Sequence, residues 1–349
     1  MKFKFSMPAV VATSMIALLA TMPASAQTAT AQQSSPQQSS AQDYPTKQIS
    51  IIVPFAAGGP SDVIARILGE GMGKHLKQTV VIENVAGAGG TTGSGRVAAA
   101  APDGYTLLSG SMGSHVAAPV LYTNLKYDSR KDFEPVALTV HAPALVVARK
   151  TIPATNLKEF IAYLKANSGK VSQGHGGVGA SSHMACLLFN AEAGVNANVV
   201  SYRGSGPALN DVVAGQIDYV CDQTMGMTEQ VKAGTVKAFA IGSPERSPAL
   251  PMVPTAKEGG LPRYDLSIWS AIFAPKGTPA AIAAKLNAAV DKTLDDKVVI
   301  ERIQTLGGTV APKKERSPKY LSDLVARETV RWEPILKTAL ANTPAETKK

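Results

Sequence analysis

The sequence feature that most constrains the fold is Ile49–Asp62, which reads as a buried strand, a glycine turn and the start of a helix. The apolar run Ile51–Val53 is typical of a strand covered on both faces. Gly58-Gly59 lets the backbone turn tightly, and Ser61 or Asp62 is expected to cap the helix that follows. Such a turn leaves backbone N–H groups unpaired at the positive end of a helix. It predicts either an anion site or an ordinary β-to-α turn without a ligand.

Length and composition indicate an exported globular protein. The chain has 349 residues, which predicts two domains, and its 45% hydrophobic and 17% charged residues suffice for a folded core. Residues 1–26 begin with Lys2 and Lys4 and end on Ala24-Ser25-Ala26, a pattern typical of a cleaved signal peptide. The apolar run between these ends is too short to span a membrane. Residues 27–43 are rich in Gln, Ser, Ala and Thr, which predicts a disordered leader.

The charge limits the classes of ligand that the protein could bind, and the cysteine content limits the metal sites and disulfides that it could form. The net charge of +9 falls to +7 without the signal peptide, because residues 1–26 carry Lys2 and Lys4 and no acid. The basic residues are scattered, which argues against nucleic-acid binding and favours anionic ligands. Cys186 and Cys221 show neither a C-x-x-C pair nor a metal-ligand spacing. They are expected either to form a disulfide, which export permits, or to be two small buried side chains.

Two more strand–glycine–helix turns follow the first. Residues 84–93 come after a predicted strand at 79–83 and add the hydroxyls of Thr91 and Thr92, which could hold a carboxylate. Residues 110–115 come after a third predicted strand. Because such turns lie at the carboxyl ends of neighbouring strands, together they predict a ligand crevice.

A second set of alternating strands and helices extends over residues 148–264, which predicts a second α/β unit. The strand after Leu261 is expected to return to the first unit, and helices close the chain. From the type of fold rather than from the composition, we predict an α/β fold with two lobes, the discontinuous 44–147 plus 265–349 and the continuous 148–264. The two crossings between the lobes would form a hinge beside an inter-lobe ligand cleft.

The motifs of common enzymes and cofactor sites are incomplete. Gly174–Gly179 matches G-x-G-x-x-G, but the next strand ends in Ser201-Tyr202 and offers no acid to a ribose. The chain has no G-x-x-x-x-G-K-[ST] phosphate loop and no H-E-x-x-H, and its 5 histidines lack metal-ligand spacing. The sequence therefore predicts neither a cofactor nor a metal. His75 is expected to face solvent at a helix end.

Gly179–His183 approximates the nucleophile elbow of a hydrolase, without the full G-x-S-x-G pattern. Ser182 and His183 are neighbours in the chain and would point in different directions on a helix, so a nucleophile would need a distant histidine. Ser181 is more simply interpreted as a helix cap. Glycine turns with hydroxyls and histidines, but no reactive group, favour the binding of a small anion over an enzyme.

Several short segments stand in a specific order along the chain. They are Tyr44-Pro45-x-Lys47, Ile52-Val53-Pro54-Phe55-x-x-Gly58-Gly59-x-x-Asp62, Val81-Ile82-Glu83-Asn84-x-x-Gly87-Ala88-Gly89-Gly90-x-x-Gly93, Ala101-Pro102-Asp103-Gly104-Tyr105-Thr106-Leu107, Gly179-x-Ser181-Ser182-His183, Tyr202-Arg203-Gly204-Ser205-x-Pro207-Ala208-Leu209, Arg246-Ser247-Pro248-Ala249-Leu250-Pro251 and Phe273-Ala274-Pro275-x-Gly277-Thr278-Pro279. This ordered set, over residues 44–340, resembles the Bug family, the TctC-like periplasmic solute-binding proteins of tripartite tricarboxylate transporters.

The resemblance implies a periplasmic-binding-protein fold of the Venus-flytrap type, in which two α/β lobes close on a small carboxylate. It implies a periplasmic monomer that delivers its ligand to membrane permease subunits. The turns at 55–62 and 87–93 would hold one carboxylate with the help of ordered water, and the second lobe would contact the rest of the ligand. The candidate ligand-binding residues are Phe55, Ala56, Gly58, Gly59, Ser61, Asp62, Gly89, Gly90, Thr91, Thr92, Ser111, His115, His175, Ser181, Ser182, His183, Arg203 and Asp222.

Three segments depart from the usual pattern of that family. Val85-Ala86 stands where members often carry Arg-Pro, Ser172–His175 where Tyr-Gly-Ser is commoner, and Cys221–Gln223 where Phe-Asp-Asn is usual. The second-lobe differences leave the identity of the ligand open. His175 and Arg203 could meet a second carboxylate, or both could equally face solvent. The first alternative suggests a di- or tricarboxylate or an aromatic acid such as a phthalate isomer.

Asp222 would repel a carboxylate unless a water molecule or a ligand amine lies between them, and it could instead only hold the neighbouring loops. Two other functions stay open at the level of sequence. One is a secreted serine hydrolase that uses Ser181 or Ser182 with a histidine. The other is a periplasmic sensing subunit that presents its loaded form to a membrane receptor.

Overall fold

The structure, a computed structural model, describes residues 43–342. The predicted signal peptide and, apart from Asp43, the predicted leader lie outside the described residues. Within the described part of the chain, no helix is both long and apolar enough to cross a membrane.

The first half of the chain forms a parallel β/α unit. Its elements are β1 (Ile49–Val53), α1 (Pro60–Leu76), β2 (Val80–Asn84), α2 (Thr91–Ala98), β3 (Thr106–Ser111), a π-helical turn (Gly113–Ala117) and α3 (Ala118–Leu121). Strand β1 lies between β2 and β3 and is parallel to both. Ile51, Ile52 and Val53 are fully buried, as expected for a strand covered on both faces.

The middle of the chain forms a second, smaller β/α unit. Strand β4 (Phe133–Arg149) leads into α4 (Leu157–Ala166), β5 (Ser172–His175), α5 (Ser181–Ala193), β6 (Asn198–Ser201), α6 (Ser205–Val213), β7 (Tyr219–Gln223), a 3₁₀ turn (Thr224–Gly226), α7 (Thr228–Lys232) and β8 (Val236–Gly242). Strands β5, β6 and β7 are parallel, with β5 in the middle. The sequence predicts that Thr155 or Asn156 begins α4, and the Asn156 side chain caps the helix by accepting the Glu159 N–H.

The last part of the chain returns to the first unit. It consists of β9 (Ser267–Pro275), α8 (Ala280–Asp295), α9 (Lys297–Thr305), β10 (Thr309–Val310), a 3₁₀ turn (Lys313–Glu315) and α10 (Pro318–Asn342). Strand β9 pairs antiparallel with β3 on one side and with β4 on the other. The closing helices pack on the sheet that contains β9, and Leu286 and Val290 of α8 are fully buried.

Strand β4 belongs to both sheets and joins the two lobes. Its first part, Phe133–Pro143, pairs with β9 in the first sheet. From Ala144 it pairs with β7 and β8 in the second. The sequence predicts an extended, apolar connection over Phe133–Val147, and the structure has one continuous strand there. This strand passes from one lobe to the other between Pro143 and Ala144.

Three further expectations can be compared with the structure. Cys186 and Cys221 are free, buried thiols. The sequence predicts a helix from Met225 to Ala233, but the structure has the 3₁₀ turn at Thr224–Gly226 followed by the short α7. His75 is exposed near the end of α1, as predicted.

Candidate functional site

The first glycine turn is formed differently from the sequence expectation. Helix α1 begins at Pro60, with Gly59 at the N-cap position and no side-chain cap, so the prediction of a Ser61 or Asp62 cap was wrong. Proline is favoured in the first helical turn because it needs no hydrogen-bond acceptor there, and this moves the helix start forward. Asp62 therefore lies inside the first turn, where its Oδ2 accepts the Gly58 N–H at 3.0 Å.

Asp62 holds the turn in place through a compact hydrogen-bond network. Asn84, at the end of β2, donates from Nδ2 to Asp62 Oδ1 and to the Phe55 carbonyl, both at 3.0 Å. Arg66 Nε donates to Asp62 Oδ2 at 3.0 Å. Burial raises the pKa of Asp62, but the hydrogen bonds from Arg66, Gly58 and Asn84 outweigh it and hold that pKa below 3.8. Asp62 and Asn84 thus fix the shape of the turn and lie behind it.

The N-termini of three helices converge at the cleft between the lobes. These are α1 from the first lobe and α5 and α6 from the second, and none of the three has a side-chain cap. A Cβ placed on Gly59 would lie 3.4 Å from the backbone nitrogen of Gly206, so α1 and α6 approach each other closely. Because a helix N-terminus carries unpaired N–H groups and a partial positive charge, this arrangement attracts an anion.

The converging helices enclose two adjoining small cavities. Each has room for about one water molecule, so the lobes are closed on each other. The polar residues that line them are Ser61, His175, Ser181, Ser182, Ser205, Asp222 and Gln223, and the apolar ones include Phe55, Pro60 and Met227. Among residues 43–342, Asp222 is the one charged residue in this lining, and no lysine or arginine of that range contributes to it.

The serines of α5 are placed for binding rather than for nucleophilic attack. Ser182 Oγ accepts the Gly176 N–H at 2.8 Å, and Ser181 Oγ lies 3.5 Å from Ser111 Oγ of the other lobe. Ala180 is the N-cap residue of α5, so the expectation that Ser181 caps this helix was wrong. Within residues 43–342, neither serine is hydrogen-bonded to a histidine, and no observation favours the hydrolase alternative.

His175 and His183 form a neutral pair beside the cavity. Their rings lie 4.6 Å apart, and each Nδ1 accepts a backbone N–H, from Gly177 at 3.0 Å and from Gly179 at 3.2 Å. An Nδ1 that accepts a hydrogen bond carries no proton, so both rings have Nε2–H tautomers. Burial lowers the pKa of His175 to about 4, and burial together with His175 lowers the pKa of His183 to about 3. His175 therefore offers the cavity a neutral donor and no charge.

The second glycine turn contacts the other lobe directly. A Cβ on Gly89 would lie 1.6 Å from the Val178 carbonyl oxygen, and a Cβ on Gly90 would lie 2.9 Å from the Phe55 ring. Gly89 has a φ of +62°, and Gly90 a φ of +95°. Thr91 and Thr92 follow at the start of α2 and do not line either cavity. This turn supports Phe55 and receives the β5–α5 loop of the second lobe.

The remaining candidate residues lie outside the cavity. His115 is fully buried and stacks on Phe273 at 3.7 Å, and burial lowers its pKa to about 3. Arg203 has an exposed side chain, while its carbonyl accepts the Ala56 N–H at 3.0 Å across the cleft. Ser111 reaches the cavity region only through Ser181. The structure thus brings together Phe55, Gly59, Ser61, His175, Ser181, Ser182 and Asp222 around the cavity.

Several lining residues were missed from the sequence. Ser205 and Gly206 begin α6, after a strand–glycine turn of the same kind as those selected, so the pattern itself could have identified them. Gln223 directly follows Asp222 and could have been found by proximity. Met227 offers no chemical signal in the sequence, because it reaches the cavity only through the turn that follows β7.

The chain is similar to known proteins over most of its length. The family model described as the tripartite tricarboxylate transporter family receptor (TctC) matches residues 64–340. MatC from Rhodopseudomonas palustris, whose structure holds bound malate, is 44% identical, with a TM-score of 0.81 over 84% of this chain and 100% of MatC. The periplasmic binding protein BugD is 40% identical, with a TM-score of 0.82 over 85% of this chain and 98% of BugD.

A third solved structure, Rpa4515 from R. palustris with adipate, is 31% identical, with a TM-score of 0.81 over 85% of this chain and 98% of that protein. The two-lobed fold, the cleft between the lobes and these similarities agree with one another. The chain belongs to the TctC family of tripartite tricarboxylate transporter receptors, which includes the periplasmic binding proteins of the Bug type.

Proposed function

We propose that the protein is an extracytoplasmic solute-binding protein that captures a small carboxylate and delivers it to the permease of a tripartite tricarboxylate transporter. The observation that carries this proposal is the convergence of three uncapped helix N-termini on one cleft. Their N–H groups can hold an anion without a lysine or arginine in the lining. Family membership and the predicted signal peptide support a location in the periplasm.

We propose a short aliphatic dicarboxylate, rather than an aromatic acid, as the ligand. Each cavity has room for about one water molecule, so the cleft has to open less around a short acid than around an aromatic one. The suggestion of a phthalate isomer depended on Arg203, whose side chain is exposed. MatC, whose structure holds malate, is also more similar in sequence than Rpa4515, whose structure holds adipate. We therefore propose a ligand of the size of malate.

Capture would proceed by closure of the two lobes. The α1 N-terminus belongs to the first lobe and would receive the ligand, and the α5 and α6 N-termini would reach it as the cleft closes. The backbone hydrogen bond between Ala56 and Arg203 and the approach of Gly89 to Val178 would then hold the closed form. A ligand favours closure only to the extent that it binds the closed form more tightly than the open one.

A thermal-shift screen of the protein without its signal peptide tests the proposal. The panel contains malate, succinate, adipate, citrate, phthalate isomers and acidic amino acids. A ligand present at a hundred times its Kd should stabilise the folded state by about 2.7 kcal/mol. We expect the largest shift with a short dicarboxylate. No shift with any acid of the panel, at millimolar concentration, would contradict the proposal.

A further inference from the structure

Asp222 occupies an unusual position for a carboxyl group in an anion site. It lies at the end of β7 with 2% of its surface exposed, and it lines both small cavities. Its Oδ1 accepts the Gln223 N–H at 2.8 Å, and the Ser205 hydroxyl lies close enough to the carboxyl to lower its pKa. Its Oδ2 has no partner of regular hydrogen-bond geometry among the described residues. A buried carboxyl oxygen without a partner is costly in free energy, so its position in the cavity points to a role with the ligand.

The other titratable groups near Asp222 are neutral or paired. The histidines of β5 and α5, His175 and His183, have lowered pKa values and stay uncharged near neutral pH. Burial raises the pKa of the Cys221 thiol, next to Asp222 in β7, and that of the Tyr264 hydroxyl in the segment before β9. Cys186 of α5 is a buried free thiol in the same buried cluster as Cys221 and Tyr264.

The charged groups on the two other helices are engaged elsewhere. Asp62 of α1 is ion-paired with Arg66, and Asp211 of α6 accepts a hydrogen bond from Tyr202. None of these four lines the cavities. Asp222 is therefore the one group in the lining that can change its charge near neutral pH, since burial raises its pKa to about 6.

Two negative charges in this closed cleft would repel each other strongly. Each helix N-terminus supplies only about half a positive charge, and the lining contains no cationic side chain. In comparable pairs of buried carboxyl groups, one of the two keeps a proton. We infer that the protein takes up one proton when it captures a carboxylate ligand, and that this proton is shared between Asp222 Oδ2 and the ligand. The inference rests on the proposed function.

The inference fixes the sign of the pH dependence. Where free Asp222 already carries its proton, binding takes up none and the affinity is constant. Above about pH 6, where free Asp222 is ionised, each further pH unit should weaken binding about tenfold, until the bound form also loses the proton. The carboxyl groups of a ligand such as malate stay ionised over this range, so they contribute no slope of their own.

Calorimetric titration with malate as the probe tests the inference. The Kd is measured from pH 6 to pH 8.5. At pH 7.5 the heat of binding is also measured in two buffers that differ in their heat of ionisation, and the difference between the two heats gives the number of protons exchanged. For the native chain we expect about one proton taken up and a Kd that rises about tenfold per pH unit. For Asp222→Asn we expect no proton uptake, a flat profile and tighter binding than the native chain at pH 8. Asp265→Asn, which changes an exposed carboxyl group, should keep the native profile.

The outcomes separate this inference from the proposed function. If the native chain binds malate with a pH-independent Kd and no proton uptake, the inference is wrong and the function stands. If Asp222→Asn loses affinity at every pH, Asp222 acts as an ionised acceptor for the ligand hydroxyl, which also contradicts the inference. If no acid of the panel binds at any pH, the proposed function itself fails. If the variant does not fold, the two-buffer measurement on the native chain still tests whether a proton is taken up on binding.

Discussion

Asp62 and Asp222 are both buried carboxyl groups beside the same cleft, yet their surroundings shift their pKa values in opposite directions. Asp62 accepts hydrogen bonds from Gly58, Arg66 and Asn84, so its charged form is favoured. For Asp222, burial outweighs the opposing effects of the Ser205 hydroxyl and the Gln223 N–H, so the neutral form is favoured and the pKa is raised. The first carboxyl group fixes the shape of a turn, and the second is available to a ligand.

The charge of Asp62 should stabilise the fold at neutral pH and not in acid. Because its pKa is lowered in the folded state, its contribution is present above about pH 4 and is lost as the pH falls through the folded-state pKa. We expect Asp62→Asn to lower the unfolding free energy by about 1–3 kcal/mol at pH 7, since an amide leaves one of the buried donors unpaired. At pH 3 the difference should shrink. Thermal unfolding at both pH values checks this, and an equal loss at pH 3 would contradict it.

Asp222 should do the reverse and destabilise the fold at neutral pH. Its pKa rises from 3.8 to about 6 on folding, so the penalty is absent below pH 4 and complete above pH 6. A shift of this size corresponds to about 3 kcal/mol, which Asp222→Asn should largely recover. We expect the variant to melt higher than the native chain at pH 8 and at nearly the same temperature at pH 4. A variant that is less stable at pH 8 would show that Asp222 holds the structure instead.

At the scale of elements, the second glycine turn acts as the surface on which the lobes close. Gly89 of the first lobe approaches Val178 so closely that no side chain fits between them. We expect Gly89→Ala to fold and to resist closure. Overpacking of this kind costs about 1–3 kcal/mol, which would weaken malate binding about 5- to 150-fold.

Gly260→Ala is the matched control for Gly89→Ala. Gly260 also has a positive φ, +90°, but a Cβ there meets no atom within 4 Å. Both variants bear the same kind of backbone strain, so only the contact across the cleft differs. Binding measured by calorimetry should be normal in Gly260→Ala. Equal affinities in the two variants would show that closure does not use this contact.

The turn after β7 connects the second lobe to the core of the first. Met225 in this turn is 2% exposed and belongs to the same buried cluster as Ile64 of α1 and Ile303 of α9. Thr224 Oγ1 also donates to the Gly307 carbonyl at 2.8 Å. We expect Met225→Ala to lower the unfolding free energy by about 2–5 kcal/mol. Met252→Ala is the control, because Met252 is 87% exposed and its loss should change stability little, as denaturant titration of both variants would show.

The sequence allowed the strands and helices to be predicted better than the contacts between them. The apolar run at Ile51–Val53, the glycine turns that follow the first three strands and the alternation over residues 148–264 predicted both β/α units, because these signals are local. The start of α1 was misjudged because Pro60 competes with the polar caps that follow it. The contact of Gly89 with Val178 and the exposure of Arg203 depend on how two distant loops approach each other, for which no local pattern exists.

At the scale of the whole molecule, β4 and the segment between β8 and β9 connect the two lobes, and β4 changes partners between Pro143 and Ala144. The polypeptide can bend at such crossings, and because one buried cluster includes residues of both lobes, bending would also shift packed side chains. The ends of β7 and α1 meet near this hinge, so a ligand held there would contact both lobes at once. If closure is coupled to binding in this way, small-angle scattering should show a more compact particle with malate than without it. An unchanged scattering curve would mean that capture occurs without closure.

The most direct measurement is a crystal structure of the protein, without its signal peptide, grown with malate or the strongest ligand of the screen. We expect one ligand carboxylate within about 2.7–3.2 Å of backbone N–H groups at the N-termini of α1, α5 or α6. We expect another polar group of the ligand beside Asp222. A ligand bound outside this cleft, or held by the side chain of Arg203 instead of the helix ends, would contradict the account.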